Sequence, residues 1–203
     1  MKRNTDLDFI RAILIVLMIL IHIVSFGNAY PQLKAGILSF MMPTFLIITG
    51  YLVNIEKTGR QMGNYLKCLA LPYVIMVTGF SVLSYYMPVR DGITELSLSQ
   101  IGEKIFVTSI GPYWFIQTMI ICGTLYYFCF SGRNWNDLRK NYTKRDTYAS
   151  LFVFAVTLLL ISETPALSAS AAAYYFIGVV IRHNKMEWSR LFRHESFAII
   201  MWI

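Results

Sequence analysis

The amino-acid sequence predicts an all-α fold, a polytopic transmembrane helical bundle of about six helices plus the start of a seventh. Three observations lead to this fold class. Of the 203 residues, 56% are hydrophobic and 14% are charged, with a mean hydropathy of +0.53, whereas about a quarter of a soluble domain is charged. The apolar residues form runs long enough to cross a bilayer, and the basic residues lie mostly on one side of those runs.

The length of the apolar runs predicts the individual helices, because a membrane-spanning helix needs roughly 20 such residues. Four runs meet this requirement: Phe9–Phe26, Ala35–Val53, Cys68–Met87 and Ile110–Phe130. Between the third and the fourth run, the segment Ser99–Val107 predicts a short helix at the membrane surface.

Two shorter runs, Thr147–Ile161 and Ala166–Ile181, leave two arrangements open. Either both runs cross the bilayer, or they form a re-entrant hairpin, and the polar turn with Glu163 and Pro165 favours crossing. A seventh run begins at Phe197 and ends with the sequence. Because a helix interrupted in hydrocarbon leaves carbonyl groups without partners, we expect the chain to be part of a longer protein.

The Lys and Arg residues predict the orientation, since cytoplasmic loops are enriched in them. With the N-terminus in the cytoplasm, the outside loops carry only Lys34, Arg90 and Lys104, and Arg11 lies within the first run. The sequence therefore predicts a multi-pass protein of the inner (cytoplasmic) membrane. This placement also accounts for the net charge of +7, so we expect the lipid bilayer, and not nucleic acid, as a partner.

The cysteines indicate neither a disulfide framework nor a metal site. Cys68, Cys122 and Cys129 are an odd number of thiols. Neither a CxxC pair nor a cluster of His and Cys residues with ligand spacing occurs in the sequence. We therefore expect no metal ion and no bound cofactor.

The first run carries a stripe of polar residues, Asp8, Arg11 and His22. At 100° per residue, the eleven residues from Arg11 to His22 bring the two side chains within about 20° of each other, and separate them by about 16 Å along the helix. Asp8 lies one turn before Arg11 and shares its side. Polar residues within a membrane are costly and usually face the interior of the bundle.

Each residue of this stripe also has a purely structural interpretation. Asp8 and Arg11 are typical of interfacial anchors, with the guanidinium reaching the lipid headgroups. His22 is compatible with a hydrogen bond between helices or with the outer interface. The functional interpretation is that a neutral, half-buried His22 accepts a proton from a hydroxyl, while Arg11 binds a phosphate or carboxylate.

Aromatic residues accompany the second and fourth runs, with Tyr51 near the end of one and Tyr113 and Trp114 at the start of the other. An interfacial aromatic belt is the simpler interpretation. The more specific interpretation is that these residues line an acceptor site, because sugars stack on aromatic rings. Composition alone favours the belt.

Four segments resemble motifs of the membrane-bound acyltransferase 3 family. These are Asp8-Phe9-Ile10-Arg11-Ala12 with His22 ten residues further on, the stretch from Phe40 to Leu52 with Met-Pro and Gly-Tyr-Leu, Tyr113-Trp114-Phe115-Ile116, and Phe176-Ile177-Gly178. Their order matches the family, and the resemblance covers essentially the whole chain. It implies a single transmembrane acyltransferase domain over residues 1–203, a truncated part of a roughly ten-helix protein.

The resemblance also implies an activity, the O-acylation of carbohydrates from a cytoplasmic acyl-CoA, with acetyl-CoA as the expected co-substrate. His22 would act as general base or carry the acyl group transiently. Arg11 would contact the donor and be held by Asp8. The other implied roles are donor binding by Lys67 and Arg60 and lining of the acceptor site by Tyr51, Tyr113 and Trp114.

Two other classes of protein remain open from the residues alone. A transporter or flippase would use the stripe of Asp8, Arg11 and His22 as a path for protons or substrate. The scarcity of charges in the second to fourth runs speaks against this interpretation. In a membrane subunit that only assembles others, the same residues would affect stability alone.

Overall fold

The computed structural model describes residues 5–53, 57–87, 89, 91–131 and 144–184. Its helices, in chain order, are α1 (Thr5–His22), α2 (Val24–Ala29), α3 (Pro31–Leu52), α4 (Gly59–Tyr86), α5 (Leu98–Phe106), α6 (Trp114–Ser131), α7 (Lys144–Ser162) and α8 (Ala169–His183). A 3-10 turn, Gly111–Tyr113, precedes α6. The described residues contain no strand, and the predicted all-α class is confirmed.

The six predicted runs correspond to α1, α3, α4, α6, α7 and α8, with two differences at their ends. The first run divides at Ile23, where α1 gives way to the short α2. α4 begins well before its apolar run, because Thr58 caps it. The Thr58 side chain accepts from Gln61 N at 3.4 Å, and the Gln61 side chain accepts from Thr58 N at 3.1 Å, which is a capping box.

The two minor elements of the sequence prediction have different outcomes. The predicted helix at Ser99–Val107 is present as α5, and its position at the membrane surface stays a prediction. The seventh run from Phe197 lies outside the described residues.

Three of the described helical segments are long and apolar enough to cross a membrane: Pro31–Leu52, Gly59–Tyr86 and Gly111–Phe130. α1 has the required length, but Asp6, Asp8 and Arg11 give it three charges. α8 has 15 residues and rises roughly 22 Å, less than the bilayer core of about 30 Å.

The bundle has two ends that differ in charge. The end where α1 begins and where α3, α6 and α8 finish is called the basic end here, since Arg11, Lys57 and Arg182 lie there. Tyr127 near the end of α6 donates to the Lys57 carbonyl at 3.3 Å, and Arg182 of α8 donates to the Tyr51 carbonyl at 3.2 Å. The other end, where α6 and α8 begin, is called the opposite end.

α8 lies parallel to α3 along most of its length. Its first residues share a cavity with Leu38 and Ser39 of α3, and its last turn bonds to the final carbonyls of α3. α8 therefore packs beside a long apolar helix over this length, and crossing by the two shorter runs stays a prediction.

Gly50 of α3 and Gly178 of α8 allow these two helices to approach closely. A Cβ on Gly178 would lie 2.9 Å from both the Ile47 carbonyl carbon and Tyr51 N, and one on Gly50 would meet the Tyr175 carbonyl group. Real Cβ atoms do not come that close to backbone. Small residues have the same role at many helix crossings in membranes, and both glycines belong to the motifs noted in the sequence.

Apolar side chains join the remaining helices. Leu7, Leu14 and Ile21, each seven residues apart on α1, pack with Ile37, Met41 and Ile48 of α3. A second cluster joins α6, α7 and α8 around Tyr126, Phe154 and Tyr175. The outward faces stay apolar, with Phe9, Leu71 and Phe152 each at least 65% exposed, as expected for surfaces in contact with lipid.

Candidate active site

A cavity of about 180 Å³ opens at the basic end, between α1, α3, α4 and α6. Its lining residues are Arg11, Ile48, Thr49, Leu52, Val53, Lys57, Tyr65 and Met119. Arg11 therefore faces this cavity, and its contact with a donor stays a prediction. Two cations and no carboxylate occur among the lining residues that the structure describes, so the cavity is suited to an anion.

Lys57 is held at the cavity by two contacts. Its Nζ lies 4.1 Å from the centre of the Tyr65 ring, within the range of a cation–π interaction. Its backbone carbonyl accepts from the Tyr127 hydroxyl at 3.3 Å. Lys57 was not predictable as a site residue, because a lysine between two apolar runs is indistinguishable from any other loop charge.

Arg182 closes the end of α3 beside this cavity. Its Nη1 donates to the Tyr51 carbonyl at 3.2 Å and also to the Val53 carbonyl. The last carbonyls of a helix lack partners within the helix and carry partial negative charge, so a guanidinium satisfies both needs. Arg182 is thus a structural cation that fixes Val53, a residue of the cavity wall.

His22 lies at the other end of α1 and is exposed. Its Nδ1 is 2.7 Å from the Met18 carbonyl oxygen. Because a carbonyl only accepts, Nδ1 carries a proton, and Nε2 is the nitrogen that this bond leaves available. A backbone bond that fixes the tautomer and leaves Nε2 available is the arrangement that a general base or a nucleophile requires.

A second cavity, of about 410 Å³, lies at the opposite end between α3, α6 and α8. It is lined by Leu38, Ser39, Met42, Pro43, Leu46, Trp114, Ser168, Ser170, Ala171 and Tyr174. Ser168 and Ser170 are hydrogen-bonded to each other through their hydroxyls at 2.8 Å. Pro43 has no N–H, so the Ser39 carbonyl lacks its usual partner within the helix.

The three aromatic residues proposed to line an acceptor site have different surroundings. Trp114 lines the second cavity. Tyr113, its neighbour, packs edge-on against Phe80 with ring centres 5.9 Å apart. Tyr51 is half-buried near the basic end and packs in the cluster between α1 and α3. Only Trp114 of these three lines either cavity.

The remaining candidates lie away from the cavity walls. Asp8 is half-buried one turn before Arg11, while Arg60 and Lys67 are exposed on α4. His22 lines neither cavity. The structure thus brings Arg11 to a cavity with Lys57, and not with Arg60 or Lys67.

His183, the last residue of α8, makes another polar contact at the basic end. Its Nε2 is 2.9 Å from the Tyr126 hydroxyl, and its ring stacks on Phe130 with centres 4.6 Å apart. These contacts tie α8 to α6. A histidine at the end of an apolar run was the signal available in the sequence, but the contacts indicate a structural role.

Comparison with known proteins adds one finding to this geometry. A protein-family model described as an acyltransferase domain, of the acyltransferase 3 type, matches residues 4–203. No curated protein and no solved structure matches the chain. The match includes every described helix, so that both cavities and both ends of α1 fall within it.

Proposed function

The chain belongs to the acyltransferase 3 family, and we propose that it transfers an acyl group from acyl-CoA to a carbohydrate hydroxyl. Family membership and the long apolar helices establish a membrane acyltransferase. The identity of the donor as acetyl-CoA, and of the acceptor as a surface polysaccharide or glycolipid, belongs to the proposal.

The cavity at the basic end is the observation that carries the proposal. Arg11 and Lys57 supply two cations, and the donor carries phosphate groups on its nucleotide part. A guanidinium binds phosphate through two parallel hydrogen bonds, and a lysine ammonium binds it as a point charge. Coenzyme A is a cytoplasmic metabolite, so this assignment agrees with an N-terminus on the cytoplasmic side of the inner membrane.

His22 has the geometry needed for the transfer step. In the proposed reaction, Nε2 of His22 takes the proton of the acceptor hydroxyl. At the same time, the oxygen of that hydroxyl attacks the carbonyl carbon of the thioester. The C–S bond breaks, an ester forms, and the leaving thiolate receives the proton from the imidazolium. The bond from Nδ1 to Met18 O remains throughout and stabilises the cationic ring.

The distance between the two polar ends of α1 fits a long donor. Arg11 and His22 are about 16 Å apart along the helix. If Arg11 binds the phosphates, the extended pantetheine arm spans this distance and carries the thioester towards His22. Arg11 and His22 can therefore act in one reaction although they are far apart, if an elongated ligand lies along α1.

The cavity at the opposite end supports a carbohydrate acceptor. Trp114 offers an aromatic face, and Ser39, Ser168 and Ser170 offer hydroxyls. This combination of one stacking surface and a few polar groups is typical of sites that bind a sugar ring. The two cavities lie at opposite ends of α3, so donor and acceptor approach from the two sides of the bundle.

The test is acyl transfer from radiolabelled acetyl-CoA to carbohydrate in membranes that contain the full chain. His22→Ala is expected to abolish the transfer while its abundance and membrane insertion stay unchanged. His183→Ala is the matched control, because it removes the other described histidine. We expect it to lower stability and to retain transfer per folded molecule. Transfer retained by His22→Ala would refute the role of His22, and no transfer by the unaltered chain would refute the proposed activity.

A further inference from the structure

Tyr175, in the middle of α8, carries a buried hydroxyl without a partner. The residue is 0% exposed, and no hydrogen bond from the described residues reaches its hydroxyl. Leaving a buried hydroxyl unpaired costs on the order of 1–3 kcal/mol. Such a group therefore calls for an explanation, and a ligand that supplies the missing partner is one.

Both the backbone and the side chain of Tyr175 are fixed by packing. Its backbone carbonyl lies against Gly50 at the crossing of α3 and α8. Its ring belongs to the tightly packed cluster with Tyr126 and Phe154. The hydroxyl consequently points in a fixed direction and cannot turn to solvent to find a partner.

The hydroxyl lies against α6, close to the cavity at the basic end. It is 3.6 Å from the point where Gly123 would carry a Cβ, so the missing side chain leaves space beside the hydroxyl. Met119, one turn earlier on the same face of α6, lines the cavity.

We propose that Tyr175 is a donor-binding residue, whose hydroxyl donates a hydrogen bond to an amide carbonyl oxygen of the pantetheine arm of acyl-CoA. This inference rests on the proposed function, since it assigns the inner part of the same donor site. Arg11 and Lys57 bind the charged nucleotide end at the cavity mouth. Tyr175 binds the neutral arm deeper in the bundle, where a carbonyl is accommodated without the desolvation cost of a charge.

Tyr175→Phe tests this assignment because it removes one oxygen atom and preserves the ring. Binding of acetyl-CoA and of 3′,5′-adenosine diphosphate, the nucleotide part alone, is measured on the full chain in lipid nanodiscs, together with thermal unfolding. We expect acetyl-CoA to bind about threefold to tenfold more weakly, the loss of one net hydrogen bond. Binding of the nucleotide is expected to stay unchanged, and the unfolding temperature without ligand is expected to rise, because the unpaired buried hydroxyl is removed.

Tyr73→Phe is the matched control. The Tyr73 hydroxyl donates to the Ile105 carbonyl at 2.9 Å, away from both cavities. Its removal is expected to lower the unfolding temperature and to leave acetyl-CoA binding unchanged. Tyr175→Phe is thus expected to lower donor affinity without lowering stability, and Tyr73→Phe to lower stability without lowering donor affinity.

Gly123→Ala provides a second, independent test that keeps the hydroxyl. The added methyl group would stand in ordinary contact with it and would block the approach of a carbonyl. We expect weaker acetyl-CoA binding with unchanged nucleotide binding, as for Tyr175→Phe. Coenzyme A without the acyl group is expected to lose the same affinity on Tyr175→Phe, because it carries the same amides; unchanged affinity for coenzyme A would contradict the assignment to the pantetheine arm.

Two results would overturn the inference without affecting the proposed function. One is equal acetyl-CoA affinity of Tyr175→Phe and the unaltered chain. The other is a loss of affinity for acetyl-CoA and nucleotide alike together with a lower unfolding temperature, which indicates a structural role. Failure of the unaltered chain to bind acetyl-CoA at all would overturn the proposed function, and this inference with it.

Discussion

Replacing Gly178 by alanine is expected to force α3 and α8 apart. The new Cβ would lie 2.9 Å from the Ile47 carbonyl carbon and from Tyr51 N. Both are backbone atoms that cannot swing away as a flexible side chain does. Restoring ordinary contact requires the helices to separate by roughly half an ångström to one ångström, and overpacking of this kind costs about 1–3 kcal/mol.

Gly79→Ala on α4 is the matched control for this prediction. A Cβ on Gly79 would meet no atom within 4 Å. Gly79→Ala therefore gains helix propensity, worth up to about 1 kcal/mol, but introduces no clash. The assay is unfolding of the full chain in mixed micelles with increasing dodecyl sulfate, followed by circular dichroism. The free energy of unfolding of Gly178→Ala should lie about 1–3 kcal/mol below that of Gly79→Ala. Equal values would refute the close crossing.

Three further predictions concern the two cavities. Lys57→Met should raise the KM for acetyl-CoA about tenfold, the effect of one phosphate contact, whereas Lys67→Met should leave it unchanged; equal effects of the two substitutions would argue against donor binding at the cavity of the basic end. Trp114→Ala should raise the KM for the carbohydrate acceptor without changing the KM for the donor, and a change in the donor KM alone would contradict the acceptor site. Added salt should raise the KM for acetyl-CoA in the unaltered chain, since exposed cations are screened; an unchanged KM would argue against binding by Arg11 and Lys57.

The helices were predictable because their signal is local. An apolar run of about 20 residues specifies a spanning helix wherever it packs. The sequence prediction was less accurate at the helix ends. It missed the break at Ile23 and the early start of α4, although Thr58 and Gln61 form a recognisable capping pair.

The candidate site was predictable only in part, because it depends on contacts between distant segments. Arg11 was found since a charge within an apolar run is conspicuous. Lys57 and Arg182 were not, because their roles arise where the end of α3 meets α4 and α8. No local pattern distinguishes Trp114, which faces a cavity, from Tyr113, which packs against Phe80 one residue earlier.

Tyr175 shows the same limit most clearly. Within an apolar run that also contains Tyr174, it is one of two adjacent tyrosines. Only the packed structure shows that Tyr174 lines the cavity at the opposite end, whereas Tyr175 is buried with an unpaired hydroxyl. Burial and hydrogen-bond satisfaction are properties of the fold, not of the residue type.

The most direct test of the account uses sealed proteoliposomes that contain the full chain and acetyl-CoA with two labels, one on the acetyl group and one on the nucleotide. Acetyl-CoA is supplied on the side of the membrane where the basic end lies, and a carbohydrate acceptor is supplied on the other side. The account predicts that the acetyl label becomes bound to carbohydrate hydroxyls while the nucleotide label stays on the donor side. Movement of both labels together across the membrane, with none bound to carbohydrate, would contradict it and indicate a transporter.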